Sequence, residues 1–192
     1  MDNNAHGHPR SLVQYRDYLL TLARLQLGLQ WQGKLDASDI VQQTILRAHA
    51  GMDQFRGQTE AEWLGWLRTI LAHVLCSVAR EFETAARDVT RELSLEAELE
   101  QSSTRLERIL AVDQSSPSHV AMRTEDLIRL TQALVRLPED ERRAVELHHL
   151  KGLTVAEVAA EIGRTRPAAV GLLFRAMKRL RRIMNQEAES DA

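Results

Sequence analysis

Residues 153–184 restrict how this chain can fold more than any other segment. Their sequence is LTVAEVAAEIGRTRPAAVGLLFRAMKRLRRIM. Thr154 can cap a first helix, whose apolar residues recur at helical spacing: Val155, Val158, Ala159 and Ile162. Gly163 stands where the chain must turn, and Pro167 is tolerated only in the first turn of a new helix, which therefore starts near Arg166. The pattern predicts a helix-turn-helix.

The second of these helices carries a strongly basic surface. From Arg164 to Gln186 there are seven basic residues and no acidic one. A helix-turn-helix places its second helix in the major groove of DNA, where first-turn residues reach base edges and flanking cations hold phosphates. The candidate base-reading residues are Arg164, Thr165, Arg166 and Ala168. The alternative is a helical hairpin with a solvated basic face, which is common among all-helical proteins.

Composition favours helices along the whole chain. Aromatic residues make up 4% of the 192 residues, and there are nine Gly and four Pro. No stretch alternates convincingly at period two, whereas helical periodicity returns repeatedly. We therefore predict an all-α protein of two helical bundles joined by a partly ordered linker, with the helix-turn-helix in the second bundle.

Changes in composition divide the chain into five parts. Acidic residues and Ser pairs become frequent after Ala85, and Pro117 breaks any helix there, although leucines such as Leu99 and Leu106 can still pack against a domain. The predicted parts are a flexible N-terminus over 1–10, a first bundle over 11–84, a linker over 85–123, a second bundle over 124–185 and a flexible C-terminus over 186–192.

Local signals predict where single helices begin and end. The first helix, over residues 12 to about 29, is apolar on several sides and therefore needs several partners. Asp36 is a cap for the second helix, and Thr124 is a cap for the first helix of the second bundle. Pro138 opens the next helix, and Gly152 ends it before the helix-turn-helix.

The formal net charge of −2 is low for a nucleic-acid binder. Positive charge concentrates at the C-terminal end, and its distribution matters more than its sum. A chain that is nearly neutral overall has weak sequence-independent affinity for DNA, because that affinity comes mainly from cations that displace counterions. We therefore expect another molecule to deliver this chain to DNA.

Several classes of protein are excluded by what the sequence lacks. Cys76 is the single cysteine, so neither an internal disulfide nor a thiolate zinc cluster can form. The sequence has no 18-residue apolar run and no charged-then-apolar leader, which predicts a cytoplasmic location. His148 and His149 point about 100° apart on a helix and do not easily share a metal ion. With no nucleophile–base pair or phosphate-binding glycine loop, we predict no enzyme, no cofactor and no metal site.

Three segments, in chain order, carry a resemblance. They are LDASDIVQQTILRAH over residues 35–49, FRGQTEAEWLGWLRTILAH over 55–73, and LPEDERRAVELHHLKGLTVAEVAAEIGRTRPAAVGLLFRAMKRL over 137–180. Together they resemble the extracytoplasmic-function (ECF) sigma factors, the minimal two-domain specificity subunits of bacterial RNA polymerase. The linker phrase LEQSSTRLERILAVDQSSPS, residues 99–118, resembles sigma factors of planctomycete-type bacteria.

The resemblance implies three sets of binding residues. Binding to the clamp of core RNA polymerase is implied for Asp39, Gln42, Gln43 and Arg47. Recognition of the minus-ten element, with capture of a flipped base, is implied for Phe55, Arg56, Gly57, Gln58, Thr59, Trp66, His73 and Arg80. Recognition of the minus-thirty-five element, in the part that also docks on the polymerase flap, is implied for Thr154, Arg164, Thr165, Arg166, Ala168, Arg175, Lys178 and Arg179.

The chain departs from its relatives at three places, one of which is Ser77, where many relatives have Asp. His73 stands where many relatives have Asn, and residues 168–170 read Ala-Ala-Val where Thr-Val-Lys is frequent, which puts more weight on arginines such as Arg166. Two interpretations of the aromatic residues are open. Trp63 fits the core by periodicity, whereas Trp66 is either a core residue or a stacking platform for unpaired bases.

The leading hypothesis is a sigma factor that binds core RNA polymerase and directs promoter recognition and transcription initiation. Its partners would be core polymerase, promoter DNA and an anti-sigma factor, without a membrane or a small-molecule substrate. A second hypothesis is a stand-alone helix-turn-helix regulator with an N-terminal sensing or dimerisation domain. That regulator would bind palindromic DNA tightly without polymerase. A hydrolase or metal-dependent enzyme would need a convergent polar pocket.

Overall fold

A computed structural model describes residues 11–27, 35–83, 89–111 and 120–190. All regular structure in these residues is helical, which confirms the predicted all-α class. The α-helices are α1 (Arg16–Gln26), α2 (Ala37–Gly51), α3 (Glu60–Glu83), α4 (Val89–Ala111), α5 (Val120–Val135), α6 (Glu139–Val145), α7 (Val155–Glu161) and α8 (Arg166–Ser190). Short 3₁₀ turns at Leu12–Tyr15 and Met52–Gln54 precede α1 and follow α2, and a π-helical turn at Glu146–Leu150 extends α6. The flexible N-terminus predicted over 1–10 and the helix break at Pro117 lie outside the described residues.

Helix α1 lies at the centre of the fold and is covered on almost every side. Its buried residues follow one another nearly without a gap: Tyr18, Leu19, Leu20, Thr21, Leu22, Ala23 and Leu25. One neighbour cannot cover such a helix, and α1 contacts α2, α3, α4 and α5. The structure confirms that the first helix needs partners on several sides, although α1 itself ends at Gln26.

Helices α2 and α3 complete the first bundle around α1. The Asp36 carboxylate accepts a hydrogen bond from the backbone N–H of Ser38 at 2.8 Å, which confirms the predicted cap of α2. The buried face of α3 includes Trp63, Leu67, Leu71, Val74 and Val78. Helix α2 buries Ile40, Val41, Thr44 and Ala48 against the bundle, and its opposite face is exposed to solvent.

The linker contributes a long helix that packs into the core. Leu99 and Leu106 of α4 are fully buried. A polar cluster joins α4 to α1 and α3, because Tyr18 Oη donates to Ser103 Oγ at 3.0 Å and accepts from Arg68 Nη1 at 3.1 Å. Arg68 also forms an ion pair with Glu100. The middle of the predicted linker is thus an integral part of the fold.

One predicted helix start in the second bundle is wrong. Thr124 does not cap a helix, because α5 already begins at Val120 and Thr124 lies buried within it. The preceding residues include the good helix formers Ala, Met and Arg, so the helix starts earlier than the cap signal. At the other end, α8 continues to Ser190 through Glu-Ala-Glu; the flexible C-terminus over 186–192 stays a prediction.

One large hydrophobic core spans the two bundles, and a second, smaller cluster of Ala144, Leu147, Val158, Leu172 and Leu173 lies around the helix-turn-helix. A continuous cluster of buried side chains extends from Leu12 in the first bundle to Leu180 in α8, and it includes Leu99 of the linker helix. Helix α5 packs against α1, and α4 packs against both α3 and α5. None of the described helices is long and apolar enough to cross a membrane.

Candidate nucleic-acid and polymerase interfaces

Two glycine turns and a capping box fix the helix-turn-helix. Thr154 N donates to Glu157 Oε2 at 2.7 Å, and Glu157 N donates to Thr154 Oγ1 at 3.3 Å. The carboxylate of Glu157 accepts from both the backbone N–H and the Oγ1 hydroxyl of Thr154, and these two bonds hold the pKa of Glu157 below its ordinary value. Gly152 and Gly163 have φ values of 78° and 65°, in the left-handed region that favours glycine. The predicted cap and both predicted turns are confirmed.

Helix α8 buries one row of residues and presents the opposite face to solvent. The buried row is Ala169, Leu172, Leu173, Ala176 and Leu180, which packs against α7 and the rest of the core. The four residues predicted to read bases, Arg164, Thr165, Arg166 and Ala168, are all exposed at or just before the start of α8. Arg175 and Lys178 are exposed further along the same helix.

Two of the predicted DNA-binding arginines form ion pairs within the bundle. Arg179 Nε lies 2.8 Å from Glu141 Oε2, and the Glu141 side chain is buried. A buried carboxylate needs such a partner, so Arg179 has a structural role between α6 and α8. Arg164 pairs with Asp140, but both side chains are exposed, and exposed pairs of this kind exchange readily with other anions.

The segment predicted to capture a base is built on an aromatic cluster. Phe55 lies 5.0 Å from Trp63 and 5.3 Å from Trp66, between ring centroids, and the two tryptophans are 4.9 Å apart. Trp63 is buried, as predicted, and Trp66 is partly buried. A Cβ at Gly57 would lie 2.3 Å from Phe55 Cζ, so only glycine fits there. The cluster holds the loop against the N-terminal end of α3.

A second capping box connects this loop to α3. Thr59 N donates to Glu62 Oε2 at 2.9 Å, and Glu62 N donates to Thr59 Oγ1 at 3.2 Å. The backbone N–H of Gln58 donates to the same carboxylate at 2.8 Å, and these bonds lower the pKa of Glu62. Arg56 Nη1 donates to the carbonyl oxygen of Asp53 at 2.6 Å. The loop is therefore ordered before any partner binds.

The other two residues implied in minus-ten recognition lie further along α3. His73 is exposed, and its Nε2 lies 4.0 Å from Glu96 Oε1 of α4. Arg80 is partly buried and its Nε donates to the carbonyl oxygen of Cys76 at 3.1 Å. The structure does not bring these two side chains into the aromatic cluster around Phe55.

The four residues implied in polymerase binding share the exposed face of α2. Asp39, Gln42, Gln43 and Arg47 are all exposed at helical spacing. The sequence interpretation missed Leu46, which lies among them with 61% of its surface exposed. Leu46 is the apolar residue in an otherwise polar row on α2, and this exception in the sequence could have indicated an exposed contact residue.

Most of the second bundle is similar to a known family. Residues 127–180 match the family model described as Sigma-70, region 4. The match runs from α5 to α8 and includes the whole helix-turn-helix. It covers the buried row of α8 as well as the exposed arginines at its start, so we call residues 127–180 the region 4-like segment.

Similarity to curated proteins extends beyond region 4. The chain is 31% identical over 128 residues to the ECF RNA polymerase sigma-E factor of Salmonella typhimurium strain LT2, which is 65% of this chain and 61% of that protein. It is 26% identical over 184 residues to the ECF RNA polymerase sigma factor BldN of Streptomyces coelicolor, covering 96% of this chain and 62% of BldN. The chain thus spans about three fifths of the length of these relatives.

A solved structure with 23% sequence identity is the sigma factor RpoE in complex with the anti-sigma factor NepR from Bartonella quintana. The match covers 91% of this chain and 94% of that chain, with a TM-score of 0.34.

The region 4-like segment has two exposed apolar residues that the sequence interpretation did not single out. Phe174 is 71% exposed and Val170 is 51% exposed. They lie one helical turn apart on a side of α8 that flanks the buried row, and Lys178 follows one turn beyond Phe174. Both residues fall outside the apolar stripe of α8 in the sequence, and this position could have predicted that they face solvent.

No group of three or more His, Cys, Asp or Glu side chains in the described residues could hold a metal ion. The His148 and His149 rings meet edge to face with centroids 4.8 Å apart. His148 Nδ1 lies 2.7 Å from the carbonyl oxygen of Leu153, so this histidine braces the turn after the π-helical segment. Burial lowers the pKa of His149, and His148 adds to the effect.

Proposed function

We propose that this protein is a sigma factor that binds core RNA polymerase and directs promoter recognition and transcription initiation. The observation that carries the proposal is the match of residues 127–180 to sigma-70 region 4, on a helix-turn-helix with an exposed reading face. Similarity to ECF sigma factors along 96% of the chain supports the same function for the first bundle. Synthesis of RNA belongs to the polymerase, and this chain contributes binding rather than catalysis.

The exposed face of α2 is the proposed contact with the polymerase clamp. Asp39, Gln42, Gln43 and Arg47 supply polar contacts, and Leu46 supplies an apolar anchor among them. Interfaces of this kind depend on a few central side chains ringed by polar ones. The contact between the region 4-like segment and the polymerase flap is the second proposed docking site.

Promoter DNA is the proposed partner of the loop before α3 and of the start of α8. The loop residues 55–59 would hold a base flipped from the minus-ten element, and Trp66, His73 and Arg80 would contact the same strand. The residues Arg164, Thr165, Arg166 and Ala168 would read the minus-thirty-five element. Each DNA contact is weak in a chain of net charge −2. Binding to polymerase would hold both contacts near the same promoter, and the higher effective concentration would make the combined binding tight.

The proposed function implies where the protein acts and how it is controlled. A sigma factor works where its polymerase is, so the implied location is the bacterial cytoplasm. The implied means of control is an anti-sigma factor that competes with polymerase for one of these surfaces. The relation to planctomycete-type sigma factors stays a prediction.

Transcription from a genomic library tests the proposed function. Core polymerase should start at new sites when the purified chain is added, and the mapped starts should share two promoter elements. If the chain neither binds core polymerase nor changes the start sites, the proposal is wrong. Tight binding to a palindromic site without polymerase would support the stand-alone regulator instead.

Replacing Arg166 with Ala is expected to weaken promoter binding by about 1 to 3 kcal/mol and to relax base preference at one position. Arg166 is exposed in the first turn of α8, where a side chain reaches a base edge. The measurement is binding of the polymerase complex to a set of minus-thirty-five sequences. Arg182→Ala, an exposed arginine near the end of α8, is the control, and an equal loss on all sequences would make Arg166 a phosphate contact.

Phe174 is expected to recognise a thymine methyl group. An exposed aromatic ring between cations on a major-groove helix is suited to apolar contact with that methyl. Phe174→Ala should cost about 0.8 kcal/mol on thymine-containing minus-thirty-five elements. Replacing each thymine with uracil removes the methyl group, and the variant should be insensitive to this change while the wild type is not. Equal sensitivity of both proteins would rule out the contact.

A further inference from the structure

A cleft with charged and apolar walls lies between the end of α1, the start of α2 and the end of α6 with its π-helical turn. Its volume is about 280 Å³. The apolar part of its wall consists of Leu25, Leu27, Leu35 and Leu147, with Ala37 at the start of α2. Pockets for drug-sized molecules usually measure about 300 to 1,000 Å³, so this cleft fits a smaller molecule. The residues predicted to bind polymerase and DNA do not line it.

The inner wall of the cleft is positively charged. Within the described part of the chain, its partly buried charged side chains are three guanidinium groups and one carboxylate: Arg24, Arg142, Arg143 and Glu146. The other charged residues of the lining are exposed: Asp36, Glu139, Lys151 and Glu161. Water and salt screen such exposed charges, and the Asp36 carboxylate already caps α2. The inner wall is therefore suited to an anion.

Polar atoms of this wall lack hydrogen-bond partners. Arg24 Nη1, Arg142 Nε and Glu146 Oε1 are buried and make no hydrogen bond, and the 3.6 Å between Arg142 Nε and Glu146 Oε1 is too long for one. Burial lowers the pKa of Arg24, and the charge of Arg142 lowers it further. Water could satisfy these donors, but it would not relieve the repulsion between two guanidinium groups. An anion between them relieves both.

The backbone at the end of α6 brings three of these charges to the cleft. The backbone N–H of Glu146 is shared between the carbonyl oxygens of Arg142 and Arg143. The π-helical turn Glu146–Leu150 begins at the same residue, and such turns are frequent at functional sites. The fourth charge, Arg24, comes from α1, far away in the chain. No local motif in the sequence therefore indicates this site.

We propose that this cleft binds a small phosphate monoester that carries hydroxyl groups. Arg24, Arg142 and Arg143 hold the phosphate, because guanidinium groups match phosphate oxygens in both geometry and charge. A hydroxyl group of the ligand donates to Glu146 Oε1, and the leucines of the wall contact its carbon atoms. This site goes beyond the proposed function and does not depend on it, since neither polymerase nor DNA takes part in the binding.

Calorimetric titration of the purified full chain with ribose 5-phosphate, in a buffer free of phosphate and sulfate, tests the site. We expect saturable one-to-one binding. The Tm should rise with ligand concentration, because a ligand that binds only the folded chain stabilises it. Ribose should not bind, since it lacks the phosphate. Inorganic phosphate should bind about tenfold more weakly, because it lacks the sugar that contacts Glu146 and the leucines.

Variants of the inner wall test which residues hold the phosphate. Arg24→Met should weaken binding of ribose 5-phosphate by about 10- to 100-fold, because it removes a charge-assisted hydrogen bond and keeps an unbranched side chain. Arg143→Met should have an effect of the same size, and it keeps the test valid if Arg24→Met does not fold. Arg108→Met is the matched control, because Arg108 is an exposed arginine of α4 outside the cleft, and its affinity should equal that of the wild type.

Three results would each overturn the proposal. The first is the absence of saturable binding of ribose 5-phosphate to the wild type. The second is equal affinity for inorganic phosphate, which would mean that the cleft holds an inorganic anion and not a phosphate monoester. The third is equal affinity of the wild type, Arg24→Met and Arg143→Met. Because the titration uses the chain alone, these results leave the proposed sigma-factor function standing, and failure of the transcription test leaves this site standing.

Discussion

Replacing Asp39 with Arg and Gln42 with Ala is expected to weaken binding to core RNA polymerase by more than about 100-fold. Both residues lie on the exposed face of α2, so the charge reversal and the lost amide affect the same proposed interface. Their side chains contribute nothing to the core, so the helical content should be retained. The reversal at Asp39, in the first turn of α2, should cost only about 0.3 to 1 kcal/mol through the helix dipole.

A pull-down with core polymerase, combined with circular dichroism, measures both effects. Glu107→Arg with Gln101→Ala is the control, since it also reverses one acidic charge and truncates one Gln, at exposed positions of α4. Wild-type affinity of the α2 variant would remove that face from the polymerase interface. The Leu46→Ala variant then separates the apolar anchor from the polar contacts, with an expected loss of about 1 to 2 kcal/mol.

The second large effect is expected for Trp63→Ala, which should lower the free energy of unfolding by about 3 to 5 kcal/mol. Trp63 is 2% exposed and its ring contacts Phe55 and Trp66, with Tyr15 6.2 Å away between ring centroids. Removing the indole leaves a cavity beneath the loop that contains Gly57, so the loop should also lose its fixed position.

Denaturant unfolding measures the loss, and Phe174→Ala serves as its control. Phe174 is also a large aromatic residue, but it is exposed on α8 and its removal should change the free energy of unfolding by less than about 0.5 kcal/mol. Similar losses for the two variants would mean that the cluster around Trp63 is not a principal part of the core.

The sequence predicted the helix caps and the turns correctly where they depend on residues close together in the chain. The Thr154 cap, the Gly163 turn and the start of α8 near Arg166 all follow from hydrogen bonding and backbone geometry within a few residues. The Asp36 cap is of the same kind. The error at Thr124 has the same origin, because a cap residue was taken as a helix start although helix formers precede it.

The features that the sequence did not predict are contacts between residues that lie far apart in the chain. Nothing near Arg105 indicates that it donates to the carbonyl oxygen of Leu150, 45 residues away. Arg179 was predicted to bind DNA, and nothing near it in the sequence indicated its ion pair with Glu141, 38 residues earlier. Likewise, the packing of α5 on α1 merges two bundles that periodicity alone could only predict separately.

The shared core also determines how the chain behaves when it is cut. A fragment beginning at residue 120 carries α5 without α1, and a fragment ending at residue 83 carries α1 without α5, so each half has an uncovered apolar helix. Such surfaces pair with a second copy or drive aggregation. Separately expressed halves should therefore form dimers or precipitates, and mixing them should restore a one-to-one complex only when α4 is included in one of them.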